Sequence, residues 1–166
     1  MLFSNFAEEI DFAKSAVTAL ESSNTQYSVA VFDTDIKPTS QLQLSDAGAT
    51  LSTLDGIWNK GGSTYHNLAI DACQSTFASS DPADTNTILL ITDGISTNAP
   101  AAIAAADAAK ADGTNILPVL VLSRLGSRVQ EAVDLMTTLS SGTVLTANDF
   151  PDLPDILGSV VNEVVC

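Results

Sequence analysis

The chain has 166 residues and a formal net charge of −14, from twenty Asp and Glu against six Lys and Arg. This length supports one domain with a sizeable core, and 45% hydrophobic with 16% charged residues is a globular balance. No apolar run reaches the length of a bilayer span, and the acidic balance disfavours nucleic acid and anionic membrane surfaces while favouring divalent cations or basic partners.

The opening residues Met1 to Ser4 show no basic start and no sustained apolar core, so no secretory signal is visible in them. Ser4 is placed to cap a first helix whose apolar stripe is Phe6, Ile10, Ala13, Val17 and Leu20, with Glu8, Glu9 and Lys14 mostly off it. Tyr27 to Phe32 reads as a strand. After a turn over Asp33 to Pro38, the alternating Gln41-Leu42-Gln43-Leu44 reads as its edge-strand hairpin partner with one wet face. Leu51, Leu54 and Trp58 share one face of a short helix broken by Gly61-Gly62, and His66, Ile70, Cys73 and Phe77 mark the inward stripe of the next.

Ile88 to Thr92 is a buried strand. Pro100 opens an alanine-rich helix closed by Gly113, Ile116 to Leu122 is a strand, Ser127 caps a helix closed by Gly142, and Thr143 to Thr146 is a short strand. Leu153, Leu157, Val160 and Val164 give a last helix. Strands alternating with helices of these lengths predict an α/β fold with a doubly wound, mostly parallel sheet covered by helices on both faces, and no internal repeat is visible.

Two loops carry candidate chemistry. Gly61-Gly62-Ser63-Thr64 leads into a helix, and the strand ending Ile91-Thr92-Asp93-Gly94 delivers a carboxylate at its C-terminal end. Loops at the carboxyl ends of strands form the ligand crevice of open α/β sheets, so the Thr64 hydroxyl and the Asp93 carboxylate are placed to converge on one hard cation. The plain alternatives are that Thr64 caps the following helix and that Asp93 belongs to a solvated Asp-Gly turn. Asp33 and Asp35 read as turn residues with solvated carboxylates, and His66 as a packed or capping histidine. A lone histidine with such neighbours builds no nucleophile-base pair, and neither a Gly-x-Gly-x-x-Gly turn nor a Gly-Lys-Ser/Thr phosphate loop occurs, which argues against an enzyme or nucleotide binder.

The order of elements, the Gly-Gly-Ser-Thr loop before a helix and the strand ending Ile-Thr-Asp-Gly together resemble the von Willebrand factor type A domain over nearly the whole chain. The resemblance implies a metal-ion-dependent adhesion site holding Mg²⁺ or another divalent cation, with Thr64 and Asp93 on the family's second and third metal-binding loops. The family's first loop, Asp-x-Ser-x-Ser at the end of a central opening strand, occurs nowhere in the 166 residues. The expectation is therefore a single, N-terminally incomplete domain over 1–166, whose cation binds only if that first loop is supplied.

In the family this strand lies between those corresponding here to Tyr27–Phe32 and Ile88–Thr92. Unpaired interior backbone groups cost roughly 1–3 kcal/mol each, so a missing strand of about five residues would outweigh the roughly 5–15 kcal/mol stability of an average domain. Three explanations stand open: the natural chain extends further upstream, an upstream fragment stays associated, or a neighbouring molecule donates a strand.

Cys73 reads as a core thiol, Cys166 lies beyond the last apolar turn, and a bridge between them stays open. The resemblance implies instead that Cys166 pairs with a cysteine ahead of the first strand, as in extracellular members. It further implies a secreted or extracellular protein-binding or adhesion module, whose partner contributes an acidic side chain to the cation. The alternative is a metal-independent structural subunit of a larger assembly, its sheet completed by upstream residues or a neighbouring chain.

Overall fold

The computed structural model describes residues 3–22, 24–58, 61–82 and 84–165, with side chains from residue 5 onward. In chain order the elements are α1 (Phe3–Ala19), β1 (Tyr27–Val29), β2 (Gln41–Ser45), α2 (Ala47–Asp55), α3 (His66–Phe77), β3 (Thr87–Thr92), α4 (Ala99–Ala111), β4 (Asn115–Val121), α5 (Val129–Leu139), β5 (Leu145–Ala147) and α6 (Leu157–Val165). Short 3-10 segments over Gly126–Arg128 and Phe150–Ile156 precede α5 and α6.

β3, β4 and β5 form a parallel sheet in that spatial order, with Ile88 opposite Ile116 and Val119 opposite Leu145. The sequence Asn-Ile-Leu-Pro-Val-Leu-Val of β4 is buried along almost its whole length, as a strand covered on both faces must be. On one face Ile88, Leu90, Ile116 and Leu120 pack against Ile70 of α3, the alanines of α4 and Met136 and Leu139 of α5. On the other, Leu117, Val119 and Val121 pack against Phe12 of α1, Phe150 and Leu153 of the 3-10 segment and Val160 of α6. The doubly wound α/β architecture is thus present, and its alanine-rich helix lies flat because Ala102, Ala106 and Ala109 are fully buried against the sheet.

β1 and β2 pair antiparallel as a separate two-stranded sheet, with Tyr27 opposite Ser45. Among the described residues no ladder joins β1 to β3. Between their facing edges runs a groove of about 780 Å³ lined by Phe6, Ile10 and Ala13 of α1, Val29 of β1, and Leu89 and Ile91 of β3. The groove explains why the predicted stripe of α1 is only half-buried at Phe6, Ile10 and Ala13: it faces this opening. Of that stripe Val17 is buried, and the other tightly packed residues of the helix are Glu9, Phe12 and Ala16.

Several boundaries differ from the sequence reading, each for a local reason. Ser4 lies within α1, which starts at Phe3, and so is not its cap. α2 stops at Asp55 with Gly56 as its C-cap, well before Gly61-Gly62, leaving Trp58 outside the helix and 58% exposed. Ser127 falls in the 3-10 segment, and α5 ends at Leu139 with Ser140 as its C-cap, whose hydroxyl donates to the Thr143 carbonyl at 2.7 Å, before Gly142 is reached. Leu153 belongs to the second 3-10 segment, whose Pro151 and Pro154 keep it from joining α6. In β2 the expected wet face is not clean, since Leu42 is exposed while the Gln41 amide donates to the Tyr27 carbonyl and the Thr50 hydroxyl.

α2 is short, so its cap matters. The Asp46 carboxylate accepts from the Ala49 N–H at 2.8 Å, and Asp46→Ala is expected to cost about 1 kcal/mol, read as a lower urea midpoint with unchanged slope.

Candidate functional site

Three loops meet at the carboxyl end of β3. The first, after β1, is closed by an Asx turn: the Asp33 carboxylate accepts from the N–H groups of Thr34 and Asp35 and pairs with Lys37 at 2.5 Å. Burial works against its charge, but Lys37 and those N–H groups outweigh burial and hold the carboxyl below its ordinary range. The expected turn chemistry is present, whereas the expected solvation is not: Asp33 is buried because the second loop lies across it. A β-carbon at Gly62 would stand 2.8 Å from the Asp33 carboxyl carbon, so only glycine fits there, and the Tyr65 N–H donates to the Asp33 carbonyl at 3.2 Å.

The second loop is stitched in turn to the third. The Thr64 N–H donates to the Thr97 hydroxyl at 3.0 Å, and the Thr97 N–H donates to the Thr64 carbonyl at 2.7 Å. A β-carbon at Gly94 would stand 3.1 Å from the Thr64 hydroxyl. The two sequence-predicted residues, Thr64 and Asp93, are therefore brought to neighbouring loops. Thr64 is not the cap of α3; Tyr65 holds that position without a side-chain bond, which leaves the Thr64 hydroxyl available for another role.

Asp93 is not the freely solvated turn residue of the plain alternative. Its Oδ2 lies 3.6 Å from Nε of Arg124, on the loop after β4, and its side chain is 16% exposed. Sequence reasoning missed Arg124. The available signal was its position: one of only six basic residues, just beyond the C-terminal end of a buried strand and hence in the same crevice. It also missed Glu9, which lies one helical step off the apolar stripe yet is 8% exposed, with Oε1 lacking a hydrogen-bond partner. Burial first, and the charge of Asp93 second, push the Glu9 carboxyl up to about 8.

His66 is fully buried, with Nε2 3.0 Å from the Thr92 hydroxyl and its ring edge-on to Phe32 at 5.7 Å between centroids. Burial pushes it down to about 4, so at neutral pH it is an uncharged packed side chain that fixes the strand end before Asp93. Cys73 is a free thiol on the half-buried face of α3, pushed up to about 11 by burial, while Cys166 lies outside the described residues.

A hydroxyl and a carboxylate are hard oxygen donors suited to Mg²⁺ or a similar ion. Among the described residues no group of three or more His, Cys, Asp or Glu side chains converges as a ligand set. Thr64 and Asp93 offer two such oxygens, on neighbouring loops.

No curated protein matches the chain. Among solved structures, the proximal thread matrix protein 1 of the mussel byssus with a zinc-occupied MIDAS motif aligns with a TM-score of 0.77 at 20% identity, covering 96% of this chain and 43% of that one. The pilus adhesin SpaC of Lactobacillus rhamnosus GG aligns at 0.78 with 12% identity, covering 96% and 28%. Manganese-loaded TRAP protein of Plasmodium vivax aligns at 0.70 with 13% identity, covering 96% and 68%. The chain thus spans about two-fifths of the length of the byssus protein, and at these identities the likeness is one of fold. The sequence model of the von Willebrand factor type A domain matches residues 1–159, and the chain belongs to that family.

Proposed function

We propose that this domain is a protein-binding module of the adhesion kind, secreted or extracellular, whose divalent cation is held jointly by Thr64, Asp93 and a strand seated in the groove between β1 and β3. The observation that carries this reading is the pair of hydrogen bonds locking the Thr64 loop to the loop that follows Asp93. A cation so held keeps an open coordination position for an Asp or Glu of the partner, which couples recognition to charge neutralisation. The metal-loaded byssus and TRAP relatives support a divalent ion of this general type. The strand comes from upstream residues or from a neighbouring chain, since both facing edges accept backbone pairing.

The reading is of a binder and not of an enzyme, because the one histidine is spent on packing against Phe32 and Thr92. No helix among the described residues is long and apolar enough to cross a membrane.

A second reading has an observation of its own. Arg124 already balances the charge of Asp93, as expected of a metal-independent structural subunit whose site is vestigial. Surface plasmon resonance separates the two. With the groove filled, partner binding is expected to vanish in EDTA and to return with Mg²⁺ or Mn²⁺; binding that persists in EDTA sinks the cation-coupled reading in favour of the structural one.

A further inference from the structure

The α3 side of β3 is hydrocarbon until its last residue. Ile88 and Leu90 pack into that layer, and the next side chain in the same register, Thr92, is buried and brings a hydroxyl into it. Facing it is His66, which opens α3 one turn before Ile70 on the buried side of the helix. Its Nε2 meets the Thr92 hydroxyl at 3.0 Å. The same hydroxyl brackets Gly94, accepting from the Gly94 N–H at 3.3 Å and donating to the Gly94 carbonyl at 3.5 Å. A hydroxyl has one proton to give. With that proton on the Gly94 carbonyl, the imidazole is the donor through Nε2, and one side chain orders both polar backbone groups of the glycine.

These contacts close a circuit. Gly94 lies against Thr64, where a β-carbon would stand 3.1 Å from the hydroxyl, and Thr64 is two residues ahead of His66 in the chain. Both candidate cation ligands belong to this circuit, Thr64 through its side chain and Asp93 as the residue between Thr92 and Gly94. Space filling alone does not account for a histidine here. A leucine would occupy the fully buried place beside Phe32 with no polar atom, whereas the imidazole takes Nδ1 inside with no hydrogen-bond partner among the described residues. That penalty is offset only by what Nε2 does.

We propose that His66 is the positioning residue of the cation site: its bond to Thr92 sets the backbone through Gly94 and so fixes the Asp93 carboxylate and the Thr64 hydroxyl relative to one another. This rests on the reading that Thr64 and Asp93 hold a divalent cation. His66 acts through Thr92 from within the core, while Thr97, which is exposed, ties the same two loops from the solvent side. Groups that orient ligands in this way govern affinity without touching the ion.

The test measures Mn²⁺ affinity by calorimetry with the groove filled, and Gly94 amide exchange by NMR on the metal-free protein. His66→Leu is expected to weaken Mn²⁺ binding about 10-fold and to speed Gly94 exchange. His66→Gln, whose carboxamide still donates to Thr92, is expected to keep most of the affinity. Thr92→Val should repeat the loss, and the double variant should bind no more weakly than either single one, since both break the same bond. Ile70→Ala, one turn along α3, lowers the urea midpoint through lost core packing and is expected to leave Mn²⁺ affinity unchanged. Should His66→Leu fail to fold, Thr92→Val against Thr92→Ser reads the same bond. Unchanged Mn²⁺ affinity in His66→Leu or Thr92→Val, additive losses in the double variant, or an equal loss in Ile70→Ala overturns the positioning role while leaving the cation reading intact. Absence of Mn²⁺ binding by the unaltered protein with the groove filled overturns the cation reading itself and the proposal with it.

Discussion

Asp93→Ala, measured with the groove filled, is expected to weaken divalent-cation affinity by at least 10- to 100-fold, the range reported for disturbing even indirect supports of metal ligands. Partner binding is expected to fall with it. Thr64→Val should act in the same direction, because the swap keeps the shape and removes only the hydroxyl; the Thr64 backbone bonds to Thr97 do not involve the side chain and remain. Thr64→Ser, which restores the oxygen, is expected to recover most of the affinity.

The Arg124 pairing makes the test discriminating. If Asp93 serves chiefly as the partner of Arg124, then Arg124→Ala should mimic Asp93→Ala. If Asp93 is a cation ligand, removing the guanidinium 3.6 Å away takes off a competing positive charge, and cation affinity should rise. Calorimetric titration of Mn²⁺ into Asp93→Ala, Arg124→Ala and the unaltered protein reads the difference, and a drop in affinity for Arg124→Ala would count against the ligand role.

The second large effect is on stability against pH. Glu9 titrates ordinarily near 4.5 and in the folded protein near 8. Between those values the folded state keeps a proton that the unfolded state has released, so stability falls as pH rises, by at most about 1.4 kcal/mol per pH unit. His66 has the opposite sign. It titrates ordinarily near 6.5 and in the folded protein near 4, so between those values the unfolded state takes a proton that the folded state refuses, and stability falls as pH drops.

The two contributions oppose one another between about 4.5 and 6.5, and Glu9 acts alone from there to about 8. Glu9→Gln is therefore expected to flatten the upper window and expose the His66 slope in the lower one, while His66→Gln should leave stability declining from 4.5 upward. Urea midpoints of the three proteins at pH 5, 6, 7 and 8 check this, and parallel profiles would refute both assignments.

What the sequence made legible follows from the kind of signal each element emits. β3 and β4 are unbroken apolar runs with Asp and Gly punctuation, and their ends were readable to within a residue. The alanines of α4 after Pro100 were equally plain. α1 shows where such reading stops: a stripe analysis assigns one buried face, but this helix touches the groove along Phe6, Ile10 and Ala13 and the 3-10 segment through Phe12, so it has two. Glu9 falls on the boundary between them, and no periodicity places a carboxylate inside.

The site divides in the same way. Thr64 and Asp93 were visible because they sit at loop positions that topology alone converts into a crevice. The packing of Gly62 onto Asp33, the Thr97 bonds to Thr64 and the guanidinium beside Asp93 are contacts between loops distant in sequence, which local pattern does not encode.

The division of the sheet also bears on how the molecule comes apart. The β3–β5 half is clamped between two well-filled layers, with Ile70, Ile116, Leu120, Met136 and Leu139 on one side and Phe150, Leu153 and Val160 on the other. The β1–β2 half rests on a much thinner patch built around Val17, Ala47 and Leu54. With no ladder bridging them among the described residues, the two halves lack the shared backbone scaffold that makes unfolding all-or-none. The hairpin side is then the one to loosen first, and whatever seats between the halves acts as a rivet that makes them melt together.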